Sequence, residues 1–549
     1  MSLSITYFDI PIGAQETMQV TSTGGQSYNS GNGLAAGHQD IPYATLEGNW
    51  LLDKSRVLLP DTPEDFWWSA GLSDEAGYFP QPPVLEVTFP ALYTATGLTF
   101  TFWPSTDQWC SEVKLAWYNG ETLLEEMVAY PNAPAWTLNH MVESFDQLRI
   151  TLIRTNKPRH YAKLSRLQMG RVVQFQQNEI SSVNILNEAD NTLASLSVDT
   201  MTVSIYDRSG RELAPQENQR IELYRDGSLL AAQYIKDCKR STNQKYEFAC
   251  QSAIGLLTGT FLGGVYNGIP LPLLLQQILA GRAFSLDPAF QDTTITGYLG
   301  VCTQREALQQ VAFAIGALVK TQGSDTISLL PLPEIVSSAF TAEQIFSNAE
   351  MSTRPRYAKI CVVSHTYTPL GEAETLIDGE ILSGSDVLVT FTQPHHSYSI
   401  SGGTITGQGA NYVSITADGP VTLTGLPYRH TCITHSKFDR AATGTEASNV
   451  LSVEEATLVH SGNVEEVLRR LYAIAQLRQT LTQHVVIDGQ QVGDLVVSQN
   501  PWDKVTQGYI VSMDSHLSPT GQTARVKING IEGIAAIDAE TGGVPIDAT

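Results

Sequence analysis

Positive charge is what this sequence has least of. Its 549 residues carry 33 Lys and Arg against 56 Asp and Glu, a formal net charge of -23, and the stretch from His365 to Tyr428 contains no Lys or Arg at all. Nucleic-acid binding rests mainly on cations that neutralise phosphates, so it is excluded as a primary function. Cysteine is scarce too. Cys110, Cys238, Cys250, Cys302, Cys361 and Cys432 form no C-x-x-C pair, a scatter that suits neither a disulfide framework nor a zinc site and predicts buried free thiols in a reducing compartment. The segment Met1 to Val20 lacks the basic start and apolar core of a secretory signal, so synthesis and folding in the cytoplasm are expected. The most apolar run, Ile269 to Ala280, holds Pro270 and Pro272 and is too short to span a bilayer, so no membrane segment is expected. G-x-S-x-G, P-loop, H-E-x-x-H and dinucleotide fingerprints are all missing, so neither an enzymatic activity nor a cofactor is expected.

What is present reads as β structure in several domains, since this length exceeds what one core holds. Hydrophobic residues make up 42% of the chain and charged residues only 16%. The fold class is mainly β with α/β elements. Residues 1–45, rich in Gly, Ser, Thr and Gln, read as an extended arm. Residues 46–172 read as a β-sandwich of jelly-roll type: Leu85, Val87 and Phe89 alternate, as do Leu98, Phe100 and Phe102, then Val113, Leu115 and Trp117, and Leu148, Ile150 and Leu152. Asn119-Gly120 marks a hairpin there, and Asp226-Gly227 marks one in the β domain at 173–254. A small α/β domain follows at 255–345, a β domain at 346–445, and an α+β domain at 446–549.

Two helices carry start signals. Thr303 with Glu306 makes a capping box, in which each side chain satisfies the other residue's amide, and predicts a helix over 303–321 with Leu308, Val311, Ala312, Ile315 and Leu318 inward. Asn463 with Glu466 at the same spacing predicts a second over 464–482. Pro270 to Ala280 reads as a short helix with proline in its first turn.

Candidate chemistry is sparse. Glu125-Glu126, Glu454-Glu455 and Glu465-Glu466 are sequence neighbours that point apart and make poor acid/base dyads. His395-His396 has no Cys, Asp or Glu close beside it. In the segment His430, Cys432, His435, a strand puts the first two on one face and the third on the other, two ligands at most, so no metal site is assigned. Seven of the eight tryptophans lie in the sandwich. Trp117 belongs to its core, whereas Trp103 and Trp109 flank the turn-like 104–108 and are the candidates for stacking on a host surface glycan.

Three stretches resemble the tail or baseplate hub proteins of phages and phage-like injection particles of Gram-positive hosts. One is Cys302 to Val319 (CTQREALQQVAFAIGALV) with its following strand. The second is Tyr234 to Gly264. The third runs from Leu458 through the helix at Val464 to Gly493-Asp494, Gly508-Tyr509-Ile510 and the last strands. The likeness covers about Val173 to Gly533, and Phe66 to Glu75 (FWWSAGLSDE) gives the sandwich a resemblance to discoidin-like jelly rolls. It implies hub-type β-barrel and α/β domains behind the sandwich. It also implies a homotrimer on the axis of a virion tail or phage-like particle, assembled in the bacterial cytoplasm and contacting the tail tube, a spike or tip protein and other baseplate proteins. DNA would pass without being bound. A structural hub is the expected function. A glycan-binding receptor or adhesin is the alternative, followed by a cell-wall hydrolase, for which no residues match.

Overall fold

The computed structural model describes residues 2–25, 34, 67–102, 107–211, 213–321, 323–500, 502, 504–518 and 521–533. The chain is mostly strand, in several sheets, with four α-helices among the described residues: α1 (Ala14–Thr17), α2 (Leu271–Leu279), α3 (Gln304–Ile315) and α4 (Val464–Gln476).

The largest sheet has 13 strands and joins segments far apart in sequence. Ile180–Glu188 pairs antiparallel with Val505–Ser518, so the second β region and the chain's last strands form one continuous surface. The strand Leu3–Asp9 lies between Arg171–Gln176 and Arg220–Arg225, antiparallel to both. Residues 3–9, expected to be part of a free arm, are instead interior to a sheet. Leu3, Ile5 and Tyr7 alternate into the core with Phe175, Leu223 and Phe248, a period hidden when composition is averaged over the first forty residues. Gln19–Thr23 then pairs with Val84–Thr101 of the sandwich.

Every alternation named in the sandwich is realised: Leu85, Val87, Phe100, Val113, Leu115, Leu148, Ile150 and Leu152 are fully or almost fully buried in one core. Its longest strands, Val84–Thr101 and Ala135–Thr155, pair with three register shifts, and such bulges bend a sheet around its own core. Both hairpins form, with Gly120 at the first turn and Asp226 and Gly227 at the second taking positive φ.

Both helices begin where their signals stand, and both stop early. The Thr303 capping box is complete, with Thr303 Oγ1 accepting from the Glu306 amide and Glu306 Oε2 accepting from the Thr303 amide at 2.8 Å. α3 ends at Gly316, whose φ is +77°, and Leu318 belongs to the strand Ala317–Lys320 rather than to the helix. The 464–482 helix ends at Gln476, because Gln479–Val486 is taken into the large sheet between Gly521–Gly533 and Ile345–Thr353. No capping box forms at Asn463. Its side chain serves the preceding loop, accepting from the His460 amide and donating to the Leu458 carbonyl, while Glu466 pairs with Arg469.

The 255–345 module packs α2 on α3 through Leu274, Leu275, Ile278, Leu308 and Val311. α4 packs against the strand Lys359–Pro369, with Val464, Val467, Leu468 and Leu471 meeting Ile360 and Val362. From that strand grows an arm. Glu374–Thr390 and His395–Gln408 flank the first half of Tyr412–Phe438, whose second half returns to pair with Lys359–Pro369.

Candidate assembly surface

The arm leaves part of its own apolar surface uncovered. Its central strand is 27 residues long, roughly 90 Å of contour if straight. Val413, Ile415, Val421 and Leu423 alternate into a small core with Ile377. The flanking strands pair with it through repeated register shifts, and these curl three strands over that core. At one of them a Cβ on Gly402 would stand 2.0 Å from the Pro420 carbonyl oxygen, at φ +83°, so only glycine admits the approach. Three strands cannot cover all their apolar side chains. Ile381 is 80% exposed and Leu388 50%, and at the arm's root Ile433 is 64% and Phe438 65% exposed. Residues 371–426 of the arm lie within the stretch that lacks Lys and Arg, and their carboxylates are Glu372, Glu374, Asp378, Glu380, Asp386 and Asp418, while the returning half of the central strand carries Arg429 and Lys437. An apolar and anionic surface built on a continuous strand suits contact with other chains and repels a passing polyanion.

The sequence-predicted residues are dispersed. Trp109 is half-buried against the sandwich core, and its indole N–H donates to the Pro131 carbonyl at 3.0 Å. Trp103 lies outside the described residues. The adjacent glutamates separate as expected: Glu125 meets His140 at 2.8 Å and Glu126 meets Lys114 at 3.0 Å, and Glu465 approaches His435 while Glu466 holds Arg469. His395 is buried, with Nε2 3.5 Å from a Glu374 carboxylate that sequence spacing had placed out of reach. His435 turns to Ser364, while His430 and Cys432 share the other face. They are not alone there: His365, directly opposite Cys432 in the strand register, joins them. All six cysteines are free thiols.

Among the described residues, one carboxyl is pushed above its ordinary pKa. Asp199 lines a cleft with Arg225, Gln233 and Ser252, and burial pushes it up to about 6 although the Glu188 amide donates to it at 3.2 Å. A folded-state pKa above the unfolded value contributes stability that is full below about pH 4 and is lost as pH rises through 6. Asp199→Asn is therefore expected to raise stability at pH 7.5 by about 1–2 kcal/mol, discounted for partial exposure, and to change little at pH 4.5. Calorimetric melts of both proteins at the two pH values check this, and an equal shift at both would refute the linkage.

No protein-family model matches the sequence, and no curated protein matches it significantly. Among solved structures, the chain is similar to a tail protein from Neisseria meningitidis MC58 (10% identity, 65% of this chain and 93% of that one, TM-score 0.41). It is similar to prophage tail protein gp18 from Listeria monocytogenes EGD-e over 65% of this chain and 92% of that one (12% identity, TM-score 0.39). A third is the family 32 CBM from C. perfringens NanJ in complex with galactose (14% identity, 31% of this chain, 99% of that one, TM-score 0.21). Likenesses this remote establish neither a family nor an activity.

Proposed function

We propose that this chain is a structural, non-catalytic hub subunit of a phage-like tail tip or baseplate, joining the tail tube to spike or tip and peripheral baseplate proteins. The observation that carries the reading is the cation-free arm. Its strands expose apolar side chains that a neighbouring chain would cover, and it is rooted in the α/β body through one continuous strand rather than a flexible linker. An arm attached this way transmits position between subunits. Its negative charge leaves a DNA conduit without a trap for phosphates. The sequence resemblance from Val173 to Gly533 supports the same role, with a homotrimer as the working form and the virion tail or phage-like particle as its place.

The two chain ends of the arm lie side by side at its root, although its buried Asn411 also donates to the Leu262 and Leu299 carbonyls of the body. Leu370 donates its amide to the Pro427 carbonyl, and Pro369 pairs with Tyr428, so an Asn-Gly turn in place of residues 371–426 closes the remaining hairpin. The shortened chain is expected to fold with a melting temperature lowered by the loss of the Asn411 bonds, to lose self-association in light scattering, and to abolish particle assembly in a complementation assay. Particles formed at normal yield by the armless chain would overturn the proposal. So would a full-length chain that stays monomeric and binds host polysaccharide.

A further inference from the structure

At the root of the arm, three metal-ligating side chains converge from two strands. His365 on Lys359–Pro369 is the cross-strand partner of Cys432 on Tyr412–Phe438, and His430 lies two residues before Cys432 on the same face. His365 Nδ1 is 2.9 Å from His430 Nε2, and Cys432 Sγ is 3.3 Å from that Nε2 and 3.6 Å from the Nδ1. Tetrahedral zinc, with bonds of about 2.0 Å to nitrogen and 2.3 Å to sulfur, spaces its ligands about 3.3 Å apart for N and N and about 3.6 Å for N and S. The observed triangle needs shifts of only a few tenths of an ångström to match. We propose that His365, His430 and Cys432 form a binding site for a zinc-class divalent transition ion that pins together the two strands at the root of the arm.

The surroundings favour ligation over a plain histidine pair. Tyr367 stacks on the His430 ring at 4.4 Å and 4° and fixes its plane, and Tyr298 backs Tyr367 at 4.9 Å. His365 is 4% exposed, and a hydrogen bond with the Glu454 backbone holds its ring, as a ligating histidine's far nitrogen requires. A single proton can bridge the two imidazoles while the site is empty of an ion. On binding, each ring carries its proton on the far nitrogen, His365 at Nε2 and His430 at Nδ1, and the Cys432 thiol releases its proton to solvent. The two imidazoles and one thiolate select zinc-class ions and disfavour magnesium and calcium, which take oxygen ligands. His430 and Cys432 are exposed, so the fourth position stays open to water or to a side chain of another subunit.

Cobalt(II) tests the site directly. Titrated into the reduced, chelator-treated full-length chain, it is expected to bind one equivalent. A thiolate-to-cobalt charge-transfer band and strong visible bands of four-coordination should appear, and stoichiometric zinc should displace both. Cys432→Ser is expected to abolish the charge-transfer band, and His430→Gln to weaken zinc binding by more than the ~10–100-fold that losing an outer-shell partner causes. Both positions are exposed, so unchanged circular dichroism separates lost binding from lost fold. Zinc should raise the melting temperature of the native chain and leave that of the Cys432→Ser variant unmoved. The proposal is overturned by a reduced chain that shows no charge-transfer band, by a band that survives in Cys432→Ser, or by Cys432-linked dimers in place of metal binding.

Discussion

Replacing Arg171 with alanine is expected to destabilise the junction between the sandwich and the large sheet by about 3–5 kcal/mol, because it strands a buried carboxylate. Asp9 is 2% exposed and Arg171 7%. The Arg171 Nε lies 3.4 Å from Asp9 Oδ2, which also accepts from Thr96 Oγ1 at 2.6 Å, and Arg171 Nη1 donates to Asn139 Oδ1 at 3.2 Å. The Tyr7 hydroxyl is 3.1 Å from the other carboxylate oxygen, but its single proton is shared with the Gln219 side chain. Asp9 and Arg171 belong to the large sheet, whereas Thr96 and Asn139 belong to sandwich strands, so one ion pair ties the two units. Thermal unfolding should show a fall of roughly 6–20 °C in the transition that carries the junction. The double variant Asp9→Asn, Arg171→Met should recover most of the loss, since removing both charges leaves no buried ion to solvate. A single variant that melts within a degree of the native chain would refute the role assigned to the pair.

Arg470→Ala is expected to cost about 2–4 kcal/mol, mostly by freeing the end of a different helix. Arg470 sits on α4, 9% exposed, and its Nη2 donates to the Phe313 carbonyl in the last turn of α3. The guanidinium stands 5.4 Å from the Phe313 ring centroid. A cation there offsets the negative pole of α3 and satisfies a carbonyl with no partner inside the helix. Burial drives its pKa down to about 10, so it stays charged at neutral pH, and its Nε has no hydrogen-bond partner. Arg470→Met, which keeps the buried stem and discards the poorly solvated charge, is therefore expected to lose less than alanine does. Gly316 completes the contact, since a Cβ there would meet Arg470 Nη1 at 2.4 Å. Denaturant unfolding of Arg470→Ala, Arg470→Met and Gly316→Ala measures these effects. Arg470→Met losing as much as Arg470→Ala would place the stabilisation in the guanidinium and its bond to the carbonyl rather than in the packing of the stem.

Helix α3 was legible at its start and not at its end. Thr303 and Glu306 are three residues apart and satisfy each other's amides without help, so the helix start can be read locally. Its stop at Gly316 is a left-handed glycine cap that the sequence does carry, but the apolar stripe runs on through Leu318 because the following strand is buried too, and that masks it. Asn463 shows the converse. Its spacing to Glu466 predicts a capping box, but the 458–460 loop takes the asparagine and Arg469 takes the glutamate.

From the sequence alone came the features set by short-range geometry: the period-2 strands of the sandwich, the hairpin turns at Asn119-Gly120 and Asp226-Gly227, the helix starts, and the stretch with no cation between His365 and Tyr428. Each depends on residues a few positions apart. Tertiary structure alone decided that Leu3–Asp9 enters the interior of a sheet and that Asp9 meets Arg171. It alone brought His365 to His430 and Cys432 across 65 residues of arm. Strand partners are chosen by the whole sheet's register, and a shift of one residue would turn His365 to the opposite face.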